Sequence, residues 1–315
     1  TTLAGWVYGF LAGAYQHLCE WEESRRWARR AVELGQAKNN PNVESVGHEF
    51  LMEDAFMSGQ SWHECLEHGA RHRELAETAH SSDRLAWNHL GVSFAKMMLG
   101  RLAEAEATAE QGLELATGLG DERLAVFMGV WLAQTAADSG RLDEATQIAD
   151  RLLDRADALG LNAGQLTSRH ARAYVALLAG DHETALEHTR EADKLLEGSD
   201  EEVYPVWLGP IACQSLVATG QLDEAEQRLA RTLEATRRFD MPHWQGLALK
   251  ARAQLHAARG DEGAARKDLD TAIEIFEKLE SRLELGRAFV LRGGDNDLDL
   301  ARELFETCGA PTDID

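Results

Sequence analysis

Basic, amide-bearing and aromatic side chains are concentrated in three stretches of the chain, residues 163–179, 203–219 and 243–259. These stretches contain five cationic side chains and no carboxylate, although the whole chain has 32 lysine and arginine residues against 54 aspartate and glutamate residues. Arginine forms charge-assisted hydrogen bonds with carboxylates, and tryptophan and tyrosine supply large contact areas. The stretches therefore predict a surface for an acidic or carboxylate-bearing ligand. The predicted ligand-binding residues are Arg169, His170, Arg172, Tyr174, Trp207, Gln214, Trp244, Lys250, Arg252 and Gln254.

Histidines around residue 65 imitate a metal site only in part. The stretch 63–68 reads HECLEH, so Glu67 stands where the zinc-protease pattern H-E-x-x-H requires the second histidine. His68 and His72 are spaced to share one helical face, and Cys65 precedes His68 by about one turn, but no fourth ligand is apparent. Polar surface on an exposed helix is the alternative explanation, and we predict no metal site.

Other catalytic and ion-binding motifs are missing or incomplete. The chain contains neither the phosphate-binding loop G-x-x-x-x-G-K-[ST] nor the nucleophile turn G-x-S-x-G. Residues 295–299 with Glu306 follow the carboxylate spacing of a calcium loop, but Leu300 replaces the glycine that the sharp turn needs. A capped terminal helix accounts for the same residues. We therefore expect a protein that is not an enzyme and binds no cofactor.

A six-residue motif that recurs every 40 residues must position the candidate binding residues. It reads GRLAEA, GRLDEA, GDHETA, GQLDEA and GDEGAA, beginning at residues 100, 140, 180, 220 and 260. A fixed period of this length is typical of solenoids, in which each unit buries its apolar face on the next unit. Glycine suits the left-handed backbone of a turn between two helices. The motif therefore predicts the turn inside each of a series of helix pairs.

The period predicts the fold class and the domain organisation. We expect an all-α, right-handed α-solenoid of seven to eight antiparallel helix pairs that forms a single domain over residues 1–315. The predicted units are approximately 1–40, 41–80, 81–120, 121–160, 161–200, 201–240 and 241–280, followed by a terminal helix pair at 281–308 and a tail at 309–315.

Two columns of small residues should allow the paired helices to pack closely. A proline inside one of the first helices, Pro210, removes a backbone hydrogen bond, so we expect a kink or a late start in that helix. The first-helix column is Ser93, Ala133, Ala173, Cys213 and Ala253, and the second-helix column is Ala105, Ala145, Ala185, Ala225 and Ala265.

Composition excludes several classes of function. The net charge of −22 repels nucleic acid and anionic membrane surfaces, so we expect neither as a partner. No apolar run approaches the roughly 20 residues of a membrane span. The four cysteines are widely separated, as is usual in a reducing cytoplasm, and no signal segment opens the chain. Because the first residue is Thr1 rather than methionine, we expect a piece of a longer protein.

Paired helices joined by a G-x-L-x-E-A turn resemble tetratricopeptide repeats. The unit at 81–120 carries the resemblance best, through Trp87, Leu90, Gly91, Phe94, Gly100, Leu102, Glu104 and Ala105. The 40-residue period resembles that of the longer, MalT-like repeats found in bacterial signal-transduction ATPases and transcription regulators. The sequence pattern of residues 276–288 and 301–311 also resembles the ends of such proteins. The resemblance implies that the first helices line a concave groove, which binds a peptide, a protein or a small inducer.

The opening stretch, residues 3–18, is apolar around its whole helical circumference and contains no charged residue. A terminal solenoid helix should have one hydrated face. We therefore expect Trp6, Tyr8 and Phe10 to cover a second subunit, as in a homodimer, or a missing upstream repeat or domain.

These observations lead to one functional hypothesis and one alternative. We expect the sensing region of a bacterial cytoplasmic regulator, which binds a ligand in its groove and relays that event to attached domains. The alternative is a free-standing adaptor or oligomeric scaffold whose groove holds a protein partner. An ATPase, cyclase or helix-turn-helix module in the same reading frame would favour the sensor.

Overall fold

The computed structural model describes residues 2–294 and 296–310, and this part of the chain contains sixteen α-helices and no β-strand. The all-α prediction is therefore confirmed. Asp295 of the calcium-like stretch and residues 311–315 of the expected tail lie outside the described residues. The helices are α1 (Thr2–His17), α2 (Trp21–Ala37), α3 (Pro41–Ser58), α4 (Trp62–Thr78), α5 (Ser82–Met98), α6 (Leu102–Leu119), α7 (Glu122–Asp138), α8 (Leu142–Leu159), α9 (Asn162–Leu178), α10 (His182–Leu196), α11 (Val203–Ala218), α12 (Leu222–Arg238), α13 (Pro242–Ala258), α14 (Glu262–Leu279), α15 (Arg282–Arg292) and α16 (Asp297–Cys308).

The recurring glycines form the turns between paired helices. Gly100 and Gly180 both have φ of +74°, in the left-handed region that glycine enters without the steric cost of a β-carbon. At the first of these turns, the amide of Gly100 donates to the carbonyl of Met97 and the amide of Arg101 donates to the carbonyl of Lys96, both over 2.9 Å. These bonds satisfy carbonyls at the end of α5 and reverse the chain into α6.

The small-residue columns lie in the core between helices. All ten residues of the two columns are at most 4% exposed. Each odd-numbered helix from α1 to α11 also packs against the next odd-numbered helix, so the helices from α1 to α13 form a continuous inner layer. The even-numbered helices pack against them from outside, and the hydrophobic core runs between the two layers.

Helix α11 continues through Pro210, which lies inside it. In the 40-residue register, the starts of α9 at Asn162 and α13 at Pro242 place the start of α11 at residue 202. The helix begins one residue later, at Val203. Because proline has no amide hydrogen, the carbonyl of Val206, four residues earlier, has no helical donor. The helix therefore tolerates this proline within an otherwise regular repeat.

Early units contact late units directly. Trp21 Nε1 donates to the carbonyl of Phe239 over 2.6 Å, and Trp62 Nε1 donates to Ser281 Oγ over 2.9 Å. These partners are 218 and 219 residues apart in the chain, which corresponds to about five repeats. The superhelix thus completes a turn within the chain and meets itself along a line that we call the seam. The seam comprises the contacts of Trp21 with Phe239, Gln60 with Asp240, Trp62 with Ser281 and His63 with Glu280.

Candidate functional site

The inner layer encloses two cavities that share Trp207 as a wall. The ring of Trp207 stacks on that of Trp244 at 5.0 Å between centroids, and both indole nitrogens donate to the carbonyl of Met57, over 3.4 and 3.1 Å. Phe94 lies parallel to Trp207 at 6.5 Å. We call the cavity on the α13–α15 side the C-terminal cavity and the cavity on the α1–α3 side the N-terminal cavity.

A column of residues in the 40-residue register lines the C-terminal cavity, which has a volume of about 430 Å³. Five successive odd-numbered helices, from α5 to α13, each place the equivalent residue on its wall. Three of these side chains are amides, so the wall offers hydrogen-bond donors and acceptors between apolar surfaces. The column consists of Phe94, Gln134, Tyr174, Gln214 and Gln254.

A network of buried charges closes one side of this cavity. Lys250 donates to Glu284, and Arg287 Nη1 donates to the other oxygen of the same carboxylate over 2.8 Å. Arg287 Nη2 also donates to Asp138 Oδ1 over 2.9 Å, and the hydroxyl of Tyr174 donates to that oxygen over 2.6 Å. The two cations balance the two carboxylates, as buried charges require.

Burial controls the protonation of this wall. Burial acts to raise the pKa of Glu284, but Lys250 and Arg287 outweigh it and hold that pKa at about 2. Burial raises the pKa of Asp138 and prevails over the opposing effects of Arg287 and Tyr174. Burial also lowers the pKa of His170 to about 4, so its imidazole is neutral near pH 7. The wall therefore carries no net charge, and its ion pairs and hydrogen bonds hold its side chains in place before a ligand binds.

Two polar atoms of this wall, Gln254 Oε1 and His182 Nδ1, lack a hydrogen-bond partner within the described part of the chain. The amide oxygen Oε1 of Gln254 is buried and accepts no hydrogen bond within the described part of the chain. Its neighbour in the column, Gln214, uses its Nε2 to donate to the carbonyl of Pro210 over 3.4 Å. Gln134 Nε2 lies 3.1 Å from His170 Nδ1. Gln254 therefore carries an acceptor that a bound N–H or O–H group could satisfy.

The sequence-predicted binding residues divide into two groups. Seven of the ten line the C-terminal cavity, whereas Arg169, Arg172 and Arg252 do not. These three arginines instead pair with carboxylates of the even-numbered helices. Arg169 pairs with Asp157 and Glu191, Arg172 pairs with Asp150, and Arg252 pairs with Asp268. The seven that line the cavity are His170, Tyr174, Trp207, Gln214, Trp244, Lys250 and Gln254.

Helical geometry explains this division. His170, Tyr174 and Leu177 follow the i, i+4, i+7 spacing of one face, and all three line the cavity. Arg172 precedes a buried residue of the small-residue column, Ala173, and so points toward the neighbouring outer helix α8. Of the cationic residues predicted to bind the ligand, Lys250 therefore faces the cavity and the three arginines do not.

Sequence reasoning missed five polar residues of the C-terminal cavity, Gln134, His182, His243, Glu284 and Arg287. Gln134 could have been found, because it stands 40 residues before Tyr174 in the same register. Glu284 and Arg287 lie in the terminal pair, beyond the last glycine motif, and no repeat signal marks them.

The expected interface residues of α1 have different surroundings. Trp6 and Phe10 line the N-terminal cavity and are also 46% and 75% exposed. Tyr8 packs on Trp27 at 5.6 Å between ring centroids. The helix thus contributes to an inner wall and leaves apolar surface uncovered.

The histidines near residue 65 do not converge. His68 Nδ1 lies 3.1 Å from His48 Nδ1, whereas His72 is buried beside Asn88 and the thiol of Cys65 donates to the carbonyl of Gly91. The described residues contain no group of three or more potential metal ligands. Within the same residues, no helix combines the length and hydropathy of a membrane span.

Comparison with known proteins gives a likeness of fold. No protein-family model and no curated protein sequence matches this chain. A solved structure of a Rap protein complexed with Competence and Sporulation Factor matches at a TM-score of 0.61 and 12% identity, covering 97% of this chain and 99% of that chain. The Rap conjugation gene regulator of the plasmid pLS20, in complex with the Phr* peptide, matches at a TM-score of 0.69 and 15% identity, covering 87% of this chain and 77% of that chain. The chain has the fold of these helical-repeat solenoids, and at such identities the likeness extends to the fold alone.

Proposed function

We propose that the chain is a non-enzymatic, peptide-binding repeat protein that holds its ligand in the C-terminal cavity. The observation that carries the proposal is the unpartnered amide oxygen of Gln254, which lies in the wall of a cavity of about 430 Å³. A buried acceptor without a donor costs free energy that a ligand N–H would recover. The cavity volume lies within the usual range for ligand sites, about 300 to 1,000 Å³.

The chemistry of the wall suits a short peptide. Gln134, Gln214 and Gln254 offer amide groups that match the donors and acceptors of a peptide backbone. The stacked rings of Trp207 and Trp244 offer apolar surface beside them. A small inducer with amide groups would use the same contacts.

The sequence predicts a ligand that carries a carboxylate. In the cavity, Lys250 is the group that supports this preference, because Arg169, Arg172 and Arg252 do not line it. Lys250 has three N–H donors, one of which donates to the carboxylate of Glu284. A ligand carboxylate, at a peptide C-terminus or on a side chain, would add a second charge-assisted bond to Lys250. We therefore place the acidic end of the ligand beside Lys250.

A regulatory role is supported by the architecture. The two Rap structures were solved as complexes, one with Competence and Sporulation Factor and one with the Phr* peptide. In the present chain the cavity is lined by helices of successive units from α5 to α15, so a ligand would favour one relative arrangement of those units. We infer that this chain is the sensing region of a bacterial regulator and relays peptide binding to attached domains.

The exposed face of α1 favours a second candidate function, an adaptor or oligomeric scaffold. Leu3 and Phe10 are 74% and 75% exposed, and Val7 between them is 45% exposed. Apolar surface of this kind is usual where another protein docks. Light scattering of the purified chain would separate the two roles, since a scaffold of this kind should form dimers through α1.

A peptide library tests the proposed function directly. Two pools of pentapeptides, one with free C-termini and one with amidated C-termini, are titrated into the protein while its melting temperature and tryptophan fluorescence are recorded. We expect the free-acid pool to raise the melting temperature more than the amidated pool. Equal stabilisation would remove the carboxylate preference, and no stabilisation by either pool would contradict the peptide-binding function.

A matched pair of variants assigns any binding to the cavity. Gln254→Leu removes the unpartnered oxygen, and Gln245→Leu makes the same change on α13 at a residue outside both cavities. We expect the first variant to weaken binding of a selected peptide about tenfold, because one buried hydrogen bond is lost, and the second to bind like the wild type. Equal affinities in the two variants would place the ligand elsewhere.

A further inference from the structure

The N-terminal cavity has no role in the proposed peptide site. Its volume is about 550 Å³, and helices from α1 to α11 surround it. Aromatic rings form much of its wall, which makes it suitable for an apolar ligand body. Those rings include Trp6, Phe10, Trp87, Phe127, Trp131 and Tyr204.

The charged groups of this cavity leave one carboxylate uncompensated. Three carboxylates, those of Glu49, Glu53 and Asp83, and two guanidinium groups, those of Arg84 and Arg123, line it. Arg84 Nη1 donates to Glu49 Oε2 over 2.8 Å, which neutralises that pair. Glu53 lies one helical turn after Glu49, and its carboxylate takes part in no hydrogen bond or ion pair within the described part of the chain.

The surroundings of Glu53 oppose its ionisation. Burial, together with the charges of Glu49 and Asp54, raises its pKa well above the usual value, and the opposing effect of Arg123 is smaller. Arg123 is held over the ring of Trp87, with its guanidinium carbon 4.8 Å from the ring centroid. A bound cation would offset the like-charge repulsion that Glu53 experiences from Glu49 and Asp54.

The aromatic wall already accommodates cations. Besides Arg123 over Trp87, Arg84 lies over the ring of Trp6 at 5.1 Å from the centroid. Such contacts stabilise a cation by about 0.5 to 2 kcal/mol, depending on how far it is desolvated. The cavity thus combines a carboxylate without a partner, faces of aromatic rings and space for an apolar body.

We propose that the N-terminal cavity is a second ligand site, which binds a single ammonium or guanidinium group carried on an apolar body. Glu53 receives the cationic group, and the aromatic rings enclose the apolar part. The site is distinct from the peptide site in the C-terminal cavity, because among the described residues Trp207 is the one that lines both.

A charge series of one small molecule tests this site. The probes are 4-phenylbutylamine, 4-phenylbutanol and 4-phenylbutyrate, which have similar shapes and are positive, neutral and negative. Titration calorimetry at about pH 8 keeps the amine protonated. We expect the amine to bind about tenfold or more tightly than the alcohol and the butyrate to bind weakest. Equal binding of amine and alcohol, stronger binding of butyrate, or no binding of any probe would overturn the proposal.

Variants connect the charge preference to Glu53. Glu53→Gln keeps the shape of the side chain, and because it removes repulsion with Glu49 and Asp54 it should not lower the melting temperature. We expect it to abolish the preference for the amine and leave the affinity for the alcohol unchanged. Glu67→Gln, on the exposed face of α4, and Gln254→Leu, in the other cavity, should both retain the preference. A preference that persists in Glu53→Gln would exclude Glu53 as the receiving group.

Discussion

His243 is buried between the C-terminal cavity and the seam. Its side chain lines the cavity, its ring packs edge-on against Trp62 at 5.1 Å, and its Nδ1 lies 3.2 Å from Ser281 Oγ. The hydroxyl of Ser281 accepts from Trp62 and has its own proton to donate to His243. The neutral imidazole is therefore part of a hydrogen-bonded chain that joins α4, α13 and the start of α15.

This environment predicts that acid weakens the fold through His243. Burial lowers the pKa of His243 to about 4 from an ordinary value of 6.5, and the opposing effect of Glu284 is smaller. Between pH 6.5 and pH 4, His243 is protonated in the unfolded chain but largely neutral in the folded chain. The free energy of unfolding therefore falls as the pH is lowered toward 4. The loss from this residue reaches about 3 kcal/mol at pH 4. Urea unfolding of wild type and His243→Gln across this range should show a shallower decline in the variant.

The control for this measurement is His63→Gln. His63 also contacts the seam, through Glu280, but its side chain is 64% exposed. Its removal should leave most of the acid sensitivity in place. A decline equally steep in wild type and His243→Gln would mean that other buried groups carry the effect.

At the scale of the helix, close packing depends on the small-residue columns. Ala185 belongs to the second-helix column, is fully buried, and lies in a cluster with Ala173 and Ile211. Ala185→Trp should force α10 away from α9 and lower the free energy of unfolding by about 3 kcal/mol or more, because the core cannot expand locally. Glu187→Trp adds the same side chain to an exposed position of α10 and should have little effect. Chemical unfolding of the two variants compares them, and equal stability would refute this packing.

The helices were predictable from sequence because their signals are local. Gly100 and its equivalents mark the turns, and the columns mark the contacts within each unit. The placement of the arginines was not predictable from charge alone, since one helical position separates Arg172, which reaches Asp150, from the buried Ala173. The amide column was within reach, because Gln214 and Gln254 recur at the repeat period and line the same cavity.

At the scale of the whole molecule, the seam converts an open repeat into a closed superhelix with inner cavities. Its contacts join residues about five repeats apart, and no repeat signal specifies them. Arg282, the first residue of α15, also approaches the turn at Gly100. The closed superhelix therefore includes the terminal helix pair, α15 and α16. The two cavities exist because the units curve far enough to meet, so a test of closure in solution is also a test of both proposed sites.

Gly100 offers such a test because Gly180 has the same backbone angle without the contact. A β-carbon at Gly100 would collide with Cys308 Sγ and lie 3.2 Å from Arg282 Cβ, whereas one at Gly180 would meet nothing within 4 Å; both have φ of +74°. Gly180→Ala should cost about 1 to 2 kcal/mol from the left-handed backbone alone. Gly100→Ala should lower the free energy of unfolding by at least about 1 kcal/mol more than Gly180→Ala, because its β-carbon also collides with Cys308 Sγ.

Relief of that extra cost by Cys308→Ala would show that α16 meets the turn at Gly100 in solution. Removing Sγ leaves Cβ of residue 308 at an ordinary 3.4 Å from the new β-carbon, so the collision with Sγ disappears and the milder 3.2 Å approach to Arg282 Cβ remains. A double-mutant cycle of Gly100→Ala and Cys308→Ala, measured by urea unfolding, should therefore give a coupling free energy of about 1 kcal/mol. The same cycle built on Gly180→Ala should give none. Zero coupling in the first cycle would mean that the superhelix is open in solution and that neither cavity has the walls described above.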